Sequence, residues 1–318
     1  MASRVLITGG AGFIGSHIAE HYARAGADVV VLDVAASAPN LAGIPHRYVQ
    51  GSVLDADLVA RAAEGADYVF HLAAIVSVPR SMESPWECVE INVKGTLAVL
   101  EAARAHAVRK VVLSSSAAVY GDDAATPQQE GMRPAPCSPY GISKLDGELY
   151  LELYRREHGV GTVSLRYFNV FGPRQDPTSQ YAAVVPHFIH RALRDEDLLV
   201  HGDGEQTRDF IHVRDVVAAN VLAAGAADMH GAYNVARGEK TTVNDLAQTI
   251  VEVVGSRSQV RHTPARPGDI RHSVADVSRI AGCGFEAAVG LADGLRETID
   301  FFAFSSDAFQ RIADRRGY

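Results

Sequence analysis

The sequence has few cysteines and contains no long apolar run. Three cysteines occur among its 318 residues, at Cys88, Cys137 and Cys283, and no two of them form the C-x-x-C pair of a metal or redox site. A sparse, odd cysteine count is typical of a reducing compartment, where disulfides do not persist. No apolar stretch reaches the ~18 residues that indicate a membrane helix, and no charged and apolar leader precedes the first strand. We therefore expect a soluble cytoplasmic protein that does not bind membranes.

The sequence also lacks an excess of positive charge. It has 30 lysine and arginine residues against 38 aspartate and glutamate residues, so its formal net charge is −8 at pH 7. Proteins that bind a nucleic-acid backbone need a basic surface, and this composition argues against such a partner. A small anionic ligand held by a few local arginines is still compatible with it. With 47% hydrophobic residues and no internal repeat, the chain has the composition of an ordinary globular protein.

The first half of the chain alternates short β-branched runs with longer amphipathic stretches. The predicted strands are Arg4–Thr8, Val29–Asp33, Tyr68–Leu72, Lys110–Ser114 and Thr162–Phe168. The predicted helices between them are Phe13–Ala25, Leu54–Glu64, Pro85–His106 and Gly141–His158. Strands separated by helix-length crossovers predict an α/β fold, in which helices cover both faces of a doubly wound parallel sheet. The nearly continuous apolar strands are what such a doubly covered sheet requires.

The pattern changes after Phe168, where shorter elements are separated by loops such as 172–177. We therefore predict two domains. Residues 1–168 form the first, and residues 169–318 form a smaller mixed α/β domain. Segments within 211–236 are expected to return to the edge of the first domain.

A glycine-rich segment joins the first predicted strand to the first predicted helix. Gly9, Gly12 and Gly15 give the pattern G-x-x-G-x-x-G. Without side chains the backbone can turn sharply and approach a pyrophosphate, which the positive end of the following helix stabilises. A tight turn without a ligand is the alternative, but the position between a strand and a helix favours a bound dinucleotide.

An acidic residue ends the second predicted strand. Asp33 lies 33 − 15 = 18 residues after Gly15, where a carboxylate can accept both hydroxyl groups of an adenosine ribose. The same carboxylate would repel a 2′-phosphate, and Val34, Ala35 and Ala36 supply no arginine to hold one. The sequence therefore favours NAD over NADP, although an exposed acid without a ligand is the alternative.

Tyrosine and lysine occur one helical turn apart in a segment that follows a serine-rich strand. Tyr140 and Lys144 have i, i+4 spacing and share a helix face, while Ser116 lies at the end of the preceding strand. A phenol is a poor base at neutral pH, but a nearby ammonium group favours the phenolate. We predict that Tyr140 accepts a proton from a substrate hydroxyl that Ser116 orients.

The histidines do not indicate a metal site. His17 and His21 have the i, i+4 spacing of a zinc-binding helix, but Ile18 stands where H-E-x-x-H has its glutamate. No third ligand is evident. We predict structural or surface roles for these histidines and no bound metal.

Together, these features resemble an extended short-chain dehydrogenase/reductase, and more narrowly a nucleotide-sugar 4-epimerase of the UDP-glucose/UDP-N-acetylglucosamine type. The resemblance covers roughly residues 4–300 and rests on a collinear series of motifs. They are HLAA at 71–74, SVPRS at 77–81, NVKGT at 92–96, LRYFNVFG at 165–172, GDGEQTRDF at 202–210 and RPGD at 266–269. The family fold is a Rossmann-type doubly wound parallel sheet with a smaller mixed α/β C-terminal substrate domain.

The resemblance implies which residues contact the NAD cofactor. They are Gly9, Gly12, Phe13, Ile14, Gly15, Asp33, Ser52, Val53, Leu72, Ala73, Ala74, Asn92, Ser114, Tyr140, Lys144 and Phe168. Ser52 departs from the family, which usually has an aspartate at this position to meet the adenine amino group. We therefore expect a weaker adenine contact at Ser52.

The resemblance also implies which residues contact a UDP-sugar. They are Ser77, Val78, Ser115, Ser116, Tyr140, Asn169, Ala183, Val184, Leu199, His201, Arg208, Arg266, Asp269 and Ser273. The planar fork of an arginine suits a diphosphate, in agreement with this assignment for Arg208 and Arg266. The small Ser273 is expected to admit an N-acetyl group at the sugar C2 position.

The resemblance therefore implies an NAD-dependent 4-epimerase of UDP-hexoses that works through a 4-keto intermediate. Ala117 and Ala118 argue against the sister 4,6-dehydratases, which carry an Asp-Glu pair there, and Ala117 also argues against the decarboxylases. A UDP-glucuronate 4-epimerase stays open, although Asp176 stands where bacterial uronate epimerases carry an arginine. A catalytically silent dinucleotide-binding sensor is the alternative of a different class. The helices Pro85–His106 and Gly141–His158 resemble the pair that forms a four-helix homodimer interface in this family.

Overall fold

The computed structural model describes residues 3–122, 125–176, 184–265 and 270–304. Its strands are β1 (Arg4–Thr8), β2 (Asp28–Asp33), β3 (Arg47–Gln50), β4 (Tyr68–His71), β5 (Lys110–Ser116), β6 (Thr162–Tyr167), β7 (Asn169–Phe171), β8 (Leu198–His201), β9 (Thr207–Arg208), β10 (Phe210–His212), β11 (Gly231–Val235), β12 (Thr241–Thr242), β13 (Val260–Thr263) and β14 (His272–Ser273). Its α-helices are α1 (Phe13–Arg24), α2 (Ala56–Ala63), α3 (Val78–Glu83), α4 (Pro85–Cys88), α5 (Gly95–Ala105), α6 (Pro139–His158), α7 (Val184–Ala192), α8 (Val213–Gly225), α9 (Val243–Val254), α10 (Ser278–Ala281) and α11 (Leu291–Phe304).

Seven parallel strands form the central sheet in the part of the chain that the structure describes. Their order is β11-β6-β5-β4-β1-β2-β3. The chain first builds outward from β1 to β3 and then continues on the other side of β1 from β4. This reversal creates a switch point between β1 and β4, where ligands of open α/β sheets bind beyond the carboxyl ends of the strands. The prediction of a Rossmann-type doubly wound parallel sheet is confirmed.

Two apolar cores cover the two faces of the central sheet. On one face, α1 and α8 pack on the sheet through residues such as Ile18 and Val216. On the other face, α2, α5 and α6 pack through residues such as Val59, Leu100 and Leu151. Because both faces are covered, the central strands are almost entirely apolar, as the sequence predicts.

The C-terminal half of the chain builds a second core and short sheets of its own. Helices α7, α9 and α11 pack around Phe188, Ile250 and Leu295. The strand pairs are β10 with β7, β9 with β12 and β14, and β13 with β8. Strand β11 instead pairs in parallel with β6, with Tyr233 opposite Leu165, so this part of the chain lies at the edge of the central sheet.

Two elements differ from the sequence-based expectation. The helix predicted at Pro85–His106 is divided into α4, a π-helical turn at Val89–Lys94, and α5. A single apolar periodicity runs through all three, so the sequence pattern does not show the extra residue per turn. Strand β3 was not predicted because it has four residues with polar ones at both ends.

Within the described ranges, no helix is both long and apolar enough to cross a membrane. Those ranges also hold no group of three or more His, Cys, Asp or Glu residues that could bind a metal ion. His17 instead forms a hydrogen bond from Nε2 to the carbonyl oxygen of Pro173, at 2.9 Å, and thereby joins α1 to the loop after β7.

Candidate active site

A cleft of about 1050 Å³ crosses the carboxyl ends of the central strands. Residues expected to contact the cofactor that line it are Gly9, Gly12, Phe13, Ile14, Gly15, Asp33, Ser52, Val53, Leu72, Ala73, Ala74, Ser114, Tyr140, Lys144 and Phe168. Ser77, Ser115 and Ser116, which are expected to contact the substrate, line the same cleft. The parallel sheet brings these distant segments together because its strands end at one edge.

The glycine-rich turn is shaped by close backbone approaches. Gly9 has a positive φ of +70°, and a Cβ atom there would lie 2.7 Å from the backbone nitrogen of Ala73. A Cβ atom on Gly15 would lie 2.5 Å from the carbonyl oxygen of Gly9. Helix α1 then begins after Gly12 with no side chain capping it. Its N-terminal N–H groups therefore suit an anion in the cleft.

Asp33 is fixed by two backbone hydrogen bonds at the end of β2. Its Oδ2 atom accepts the N–H of Ala11 at 3.0 Å, and its Oδ1 atom accepts the N–H of Ala35 at 3.0 Å. Each carboxylate oxygen keeps a further lone pair, so both can accept a hydroxyl hydrogen from a ribose. The link to Ala11 couples the acid directly to the glycine-rich turn.

The wall formed by Ser52 and Val53 is mostly apolar. The Ser52 hydroxyl oxygen accepts the N–H of Leu54 at 3.1 Å, which uses one of its two lone pairs within the loop. Val53 is buried and packs so closely on Gly95 that a Cβ there would lie 2.6 Å from Val53 Cγ2. An adenine ring would therefore meet a packed apolar wall and a serine O–H in place of a carboxylate.

Asn92 supports the wall of the cleft from behind. Its Oδ1 atom accepts the N–H of Ile75 at 2.7 Å, and its Nδ2 atom donates to the Ile75 carbonyl oxygen at 3.0 Å. Nδ2 also donates to the Ser143 hydroxyl at 2.9 Å. The side chain is buried and does not line the cleft, unlike the other residues expected at the cofactor. Its amide fixes the Ile75 backbone against α6.

Tyr140 lies in the first turn of α6, and local sequence places that turn. Ser138 caps the helix by accepting the N–H of Gly141 at 3.1 Å, and Pro139 occupies the first helical position. A Cβ on Gly141 would lie 2.7 Å from the carbonyl oxygen of Ala118. Glycine therefore allows α6 to start against the end of β5, next to Ser116.

Lys144 lies one turn after Tyr140 on the same face of α6. Its Nζ atom donates to the carbonyl oxygen of Ser114 at 2.7 Å and lies 5.8 Å from the centre of the Tyr140 ring. The Ser116 hydroxyl lies next to the Tyr140 phenol. The structure therefore brings all three expected catalytic residues together at one point in the cleft.

Burial controls the protonation of this group. It raises the pKa of the Tyr140 phenol, and the Ser116 hydrogen bond opposes the rise. Burial also lowers the pKa of Lys144 to about 8. From the sequence we expected the Lys144 ammonium to favour the Tyr140 phenolate. In the chain itself burial has the larger effect on the pKa of both groups, because the apolar surroundings penalise both charged forms.

The serines of β5 alternate in direction. Ser114 donates its hydroxyl hydrogen to the Tyr167 phenol oxygen at 3.2 Å. Ser115 points to the opposite side, as the two-residue period of a strand requires, and donates to Oε1 of Glu148 at 2.5 Å. Ser115 was expected to contact the substrate, but its hydroxyl is engaged inside the protein.

Three residues expected at the UDP-sugar lie on neighbouring short strands. Arg208 in β9 is opposite Ser273 in β14. Asn169 in β7 donates from Nδ2 to the carbonyl oxygen of Asp209 at 3.1 Å. Asp209 follows Arg208 directly, so the fold gathers these three residues from separate parts of the chain. Ser273 is buried, and its hydroxyl lies 3.4 Å from Oε1 of Gln128.

The other residues expected at the substrate fall in three groups. Val184 begins α7, and Leu199 and His201 belong to β8; none of them lines the cleft. Val78 starts α3 and is exposed. Ala183, Arg266 and Asp269 lie outside the described residues.

Several cleft residues were missed by the sequence analysis. Arg80 and Glu87 both line the cleft and form an ion pair, with Arg80 Nη2 at 2.8 Å from Glu87 Oε1. Gln175 also lines it, and its Nε2 donates to the Val170 carbonyl oxygen at 3.2 Å. The only signal for these residues was their nearness to motifs such as SVPRS, which does not reveal side-chain direction.

The cleft fits a dinucleotide such as NAD. Its volume is at the upper limit for pockets that hold drug-sized ligands. The uncapped start of α1 suits a pyrophosphate, and Asp33 suits an adenosine ribose. The buried Oε1 atom of Gln175 has no hydrogen-bond partner among the residues that the structure describes, which leaves an acceptor for a bound ligand.

Comparison with known proteins gives a consistent result. The model of the NAD dependent epimerase/dehydratase family matches residues 5–236. The UDP-glucose 4-epimerase of Mycolicibacterium smegmatis is 39% identical over 308 residues, which cover 94% of this chain and 98% of that protein.

Two solved structures are also similar. The first is the UDP-N-acetylglucosamine 4-epimerase of Methanobrevibacter ruminantium in complex with UDP-N-acetylmuramic acid. It has a TM-score of 0.92 and 40% identity, and the match covers 96% of this chain and 100% of that chain. The second is the Thermus thermophilus UDP-glucose 4-epimerase in complex with NAD. It has a TM-score of 0.86 and 37% identity, and the match covers 95% of this chain and 100% of that chain.

Proposed function

Because the chain belongs to the NAD dependent epimerase/dehydratase family, we propose that it is an NAD-dependent 4-epimerase of UDP-hexoses. Its substrates are UDP-glucose and UDP-galactose, and also UDP-N-acetylglucosamine and UDP-N-acetylgalactosamine. The relatives described above are 4-epimerases of UDP-sugars by name, which supports the reaction class. The chain is accordingly an isomerase.

One observation carries the proposal. Tyr140, Lys144 and Ser116 converge in the same cleft as the glycine-rich turn and Asp33. A dinucleotide held by Asp33 and the turn would share one continuous cleft with Tyr140, because all of these residues line it. Acid–base chemistry and cofactor binding are therefore combined in a single site.

The chain's own residues supply the proton chemistry. Tyr140 accepts the hydrogen of the sugar O4 hydroxyl, which Ser116 orients by hydrogen bonding. Lys144 provides the positive charge that stabilises the Tyr140 phenolate before it takes up this proton. Bound NAD would supply the hydride acceptor and donor for C4, so that the sugar would pass through a 4-keto form with no net oxidation. Tyr140 then gives the proton back to O4.

The inversion requires that the nucleotide is held while the sugar turns. We propose that Asn169, Arg208, Arg266 and Asp269 hold the UDP portion, and that the hexose rotates about its diphosphate linkage. Asn169 and Arg208 lie on neighbouring short strands, which supports this grouping. After rotation, the opposite face of C4 receives the hydride.

The residues after Ser116 disfavour elimination. Ala117 and Ala118 form the first part of a 3-10 turn at the end of β5. A 4,6-dehydratase needs an acid and a base to remove water from the sugar, and alanine provides neither. Epimerisation needs no such pair, because the proton leaves and returns at Tyr140.

The proposal is tested by product analysis with three substrates. The purified protein is incubated separately with UDP-glucose, UDP-N-acetylglucosamine and UDP-glucuronate, and the products are resolved by chromatography. We expect the C4 epimers of the first two. Turnover of UDP-glucuronate alone would favour the uronate epimerase. If no sugar turns over but UDP-sugars still change the absorbance of bound cofactor, the protein is a silent sensor.

We also propose that the protein is a homodimer. The outer surface of α3, α4 and α6 and the turn after α4 carry large exposed apolar side chains, called the apolar patch below. They are Val78, Met82, Trp86, Val89, Ile142, Leu149 and Leu153. Trp86 is 82% exposed and Leu149 is 62% exposed. An apolar surface of this kind on neighbouring helices is typical of a protein–protein interface.

The domain assignment and the cellular location complete the proposal. Residues 1–168, together with returning segments near 211–236, bind NAD, and the remainder of 169–318 binds the UDP-sugar. The parallel pairing of β11 with β6 supports the return of the chain to the first domain. We propose a cytoplasmic location on the basis of the sparse cysteines, which are free in the structure.

A further inference from the structure

Glu148 and Arg166 form a buried ion pair behind the catalytic strand. Arg166 Nη2 lies 2.6 Å from Glu148 Oε2, and Arg166 Nε lies 2.8 Å from Glu148 Oε1. The two side chains are 4% and 9% exposed, respectively. Removing two charges from water is costly, and a buried pair is often no more stable than apolar residues of the same size. Stability alone therefore does not explain why charges occupy this position.

The position of Glu148 connects it to the catalytic residues. It follows Lys144 by four residues and Tyr140 by eight, so all three lie on one face of α6. The carboxylate accepts the hydroxyl hydrogen of Ser115 at 2.5 Å. Glu148 thus joins the catalytic helix to the strand that carries Ser116.

Three consecutive serines of β5 contact three successive turns of α6. The Ser116 hydroxyl lies next to the Tyr140 phenol, and the Ser114 carbonyl oxygen accepts from Lys144 at 2.7 Å. The bond from Ser115 to Glu148 is the third of these contacts. A slip of the helix along the strand would break all three, because each turn of α6 meets a different residue. The Ser115–Glu148 bond therefore fixes the register through a carboxylate that does not itself line the ligand cleft.

The carboxylate is held rigidly from its other side. Arg166 makes two hydrogen bonds to it, and the guanidinium group lies 4.8 Å from the centre of the Tyr120 ring. A third guanidinium nitrogen of Arg166, Nη1, donates to the carbonyl oxygen of Glu130 at 3.5 Å. Glu148 is therefore locked in place between β5 and β6.

Glu148 also contributes charge near Lys144. The charged and titratable groups around the ammonium are Tyr140 and Glu148 on α6, Cys88 on α4 and His71 on β4. Burial lowers the pKa of Lys144, whereas Cys88 and Glu148 raise it. His71 is buried with a lowered pKa and is therefore neutral. Loss of the Glu148 charge would remove this effect on Lys144 and would leave the buried Arg166 guanidinium without its partner.

We propose that Glu148 is a positioning residue for the Tyr140–Lys144 pair. It holds α6 in register on β5 through Ser115 and keeps a negative charge beside Lys144. It does not touch the substrate or the cofactor. The part of this inference that concerns turnover rests on the proposed epimerase function.

The test compares four variants of the full-length holoenzyme. Glu148→Gln removes the charge, and Ser115→Ala removes only the strand contact. The double variant Glu148→Gln/Arg166→Gln removes both charges, so that no lone buried guanidinium destabilises the fold. Glu152→Gln is the matched control, because Glu152 lies one turn further along α6 and pairs with Arg155 at the surface. Circular dichroism and bound-cofactor absorbance verify folding and NAD content.

Steady-state kinetics with UDP-glucose provide the first readout. We expect kcat to fall about tenfold or more in Glu148→Gln, Ser115→Ala and the double variant, because small misplacements of catalytic groups affect chemistry strongly. KM should stay within about twofold of the parent value. Glu152→Gln should match the parent. If Glu148→Gln does not fold, Ser115→Ala and the double variant decide the outcome.

The titration of Lys144 provides a second readout that does not need turnover. The chain has four lysines, Lys94, Lys110, Lys144 and Lys240, so carbon-13 labelling of the lysine ε position gives a simple NMR spectrum. The variant Lys144→Arg assigns the signal of interest. We expect the Lys144 midpoint in Glu148→Gln to fall by about one pH unit relative to the parent.

The two readouts separate this proposal from the proposed function. An unchanged Lys144 midpoint, or an unchanged kcat in variants that fold, overturns the positioning role. If the parent turns over no UDP-sugar, the proposed function fails, and the Lys144 midpoint alone then decides the role of Glu148.

Discussion

The ammonium nitrogen of Lys144 lies 5.8 Å from the centre of the Tyr140 ring, one helical turn away on α6. The ammonium is anchored by the Ser114 carbonyl oxygen rather than by the tyrosine itself. The proton-transfer group and the neighbouring charge are therefore held independently, and each can be removed without displacing the other. Two predictions use this separation.

Replacement of Tyr140 by phenylalanine should abolish most turnover and leave the fold intact. The change removes only the phenol oxygen, and a general acid–base group contributes typically ~10²–10⁴-fold to the rate. NAD content should match the parent, since the rest of the cleft is unchanged. Rates are measured with UDP-glucose, and Tyr150→Phe on the same helix is the control. Turnover of Tyr140→Phe at the parent rate would show that another group is the base.

Replacement of Lys144 by alanine should shift the pH optimum upwards. Burial already raises the pKa of Tyr140, and loss of the nearest cation raises it further, so a higher pH is needed to form the phenolate. The parent should also lose activity above about pH 8, where Lys144 becomes neutral. This alkaline loss should be absent in Lys144→Ala. The measurement is kcat as a function of pH, and coincident profiles for the two proteins would contradict the electrostatic role.

Much of the architecture could be predicted because it follows from local patterns. Apolar runs such as Val29–Leu32 specify buried strands, and helix-length spacing specifies a parallel sheet. The glycine positions and Asp33 likewise follow from their place between strand and helix. The glycines act through backbone geometry and Asp33 through its place at the end of a strand, and sequence spacing reveals both directly.

The direction and surroundings of side chains could not be predicted. Ser115 was expected to contact the UDP-sugar together with Ser116, but strand alternation turns the Ser115 hydroxyl towards Glu148. Asn92 belongs to a recognised motif, yet its amide supports the Ile75 backbone instead of facing the cleft. The rise in the Tyr140 pKa depends on three-dimensional burial, which no spacing rule contains.

Acid should destabilise the protein through His71. Its two ring nitrogens are hydrogen bonded to Thr8 at 2.7 Å and Thr96 at 3.0 Å, and burial lowers its pKa to about 3. The unfolded chain binds a proton here below about pH 6.5, whereas the folded chain does not. Stability should therefore fall as the pH decreases from about 6.5 to 3, by about 1.4 kcal/mol per pH unit for this group.

Urea unfolding between about pH 7 and pH 5 checks this effect. The slope of the unfolding free energy against pH should be smaller in His71→Asn than in the parent, by the contribution of one proton. His158→Gln alters an exposed histidine and should keep the parent slope. Equal slopes for His71→Asn and the parent would mean that His71 is protonated in the folded protein.

A charge placed in the apolar patch should dissociate the proposed dimer. Leu149→Glu introduces a carboxylate that an interface would have to bury without a partner, which is strongly unfavourable. Sedimentation velocity should show a dimer for the parent and a monomer for this variant. Phe304→Glu is the control, since Phe304 lies at the end of α11 and outside the patch, and this variant should still sediment as a dimer. A parent that sediments as a monomer would exclude the proposed interface.

Ser273 should make the sugar pocket permissive for N-acetylated substrates. It lies in β14 opposite Arg208 in β9, which is the residue proposed to hold the diphosphate. Its small side chain is buried against Gln128, so a larger residue cannot move into solvent and must occupy neighbouring space. Extra atoms in a packed site typically cost 1–3 kcal/mol, or about one to two decades in affinity.

Ser273→Tyr should therefore suppress turnover of UDP-N-acetylglucosamine and spare UDP-glucose. The measurement is kcat/KM for both sugars, with Ser273→Ala as the control that keeps the pocket open. Equal losses on the two sugars, or a parent that is inactive on the acetylated one, would refute the steric role of Ser273.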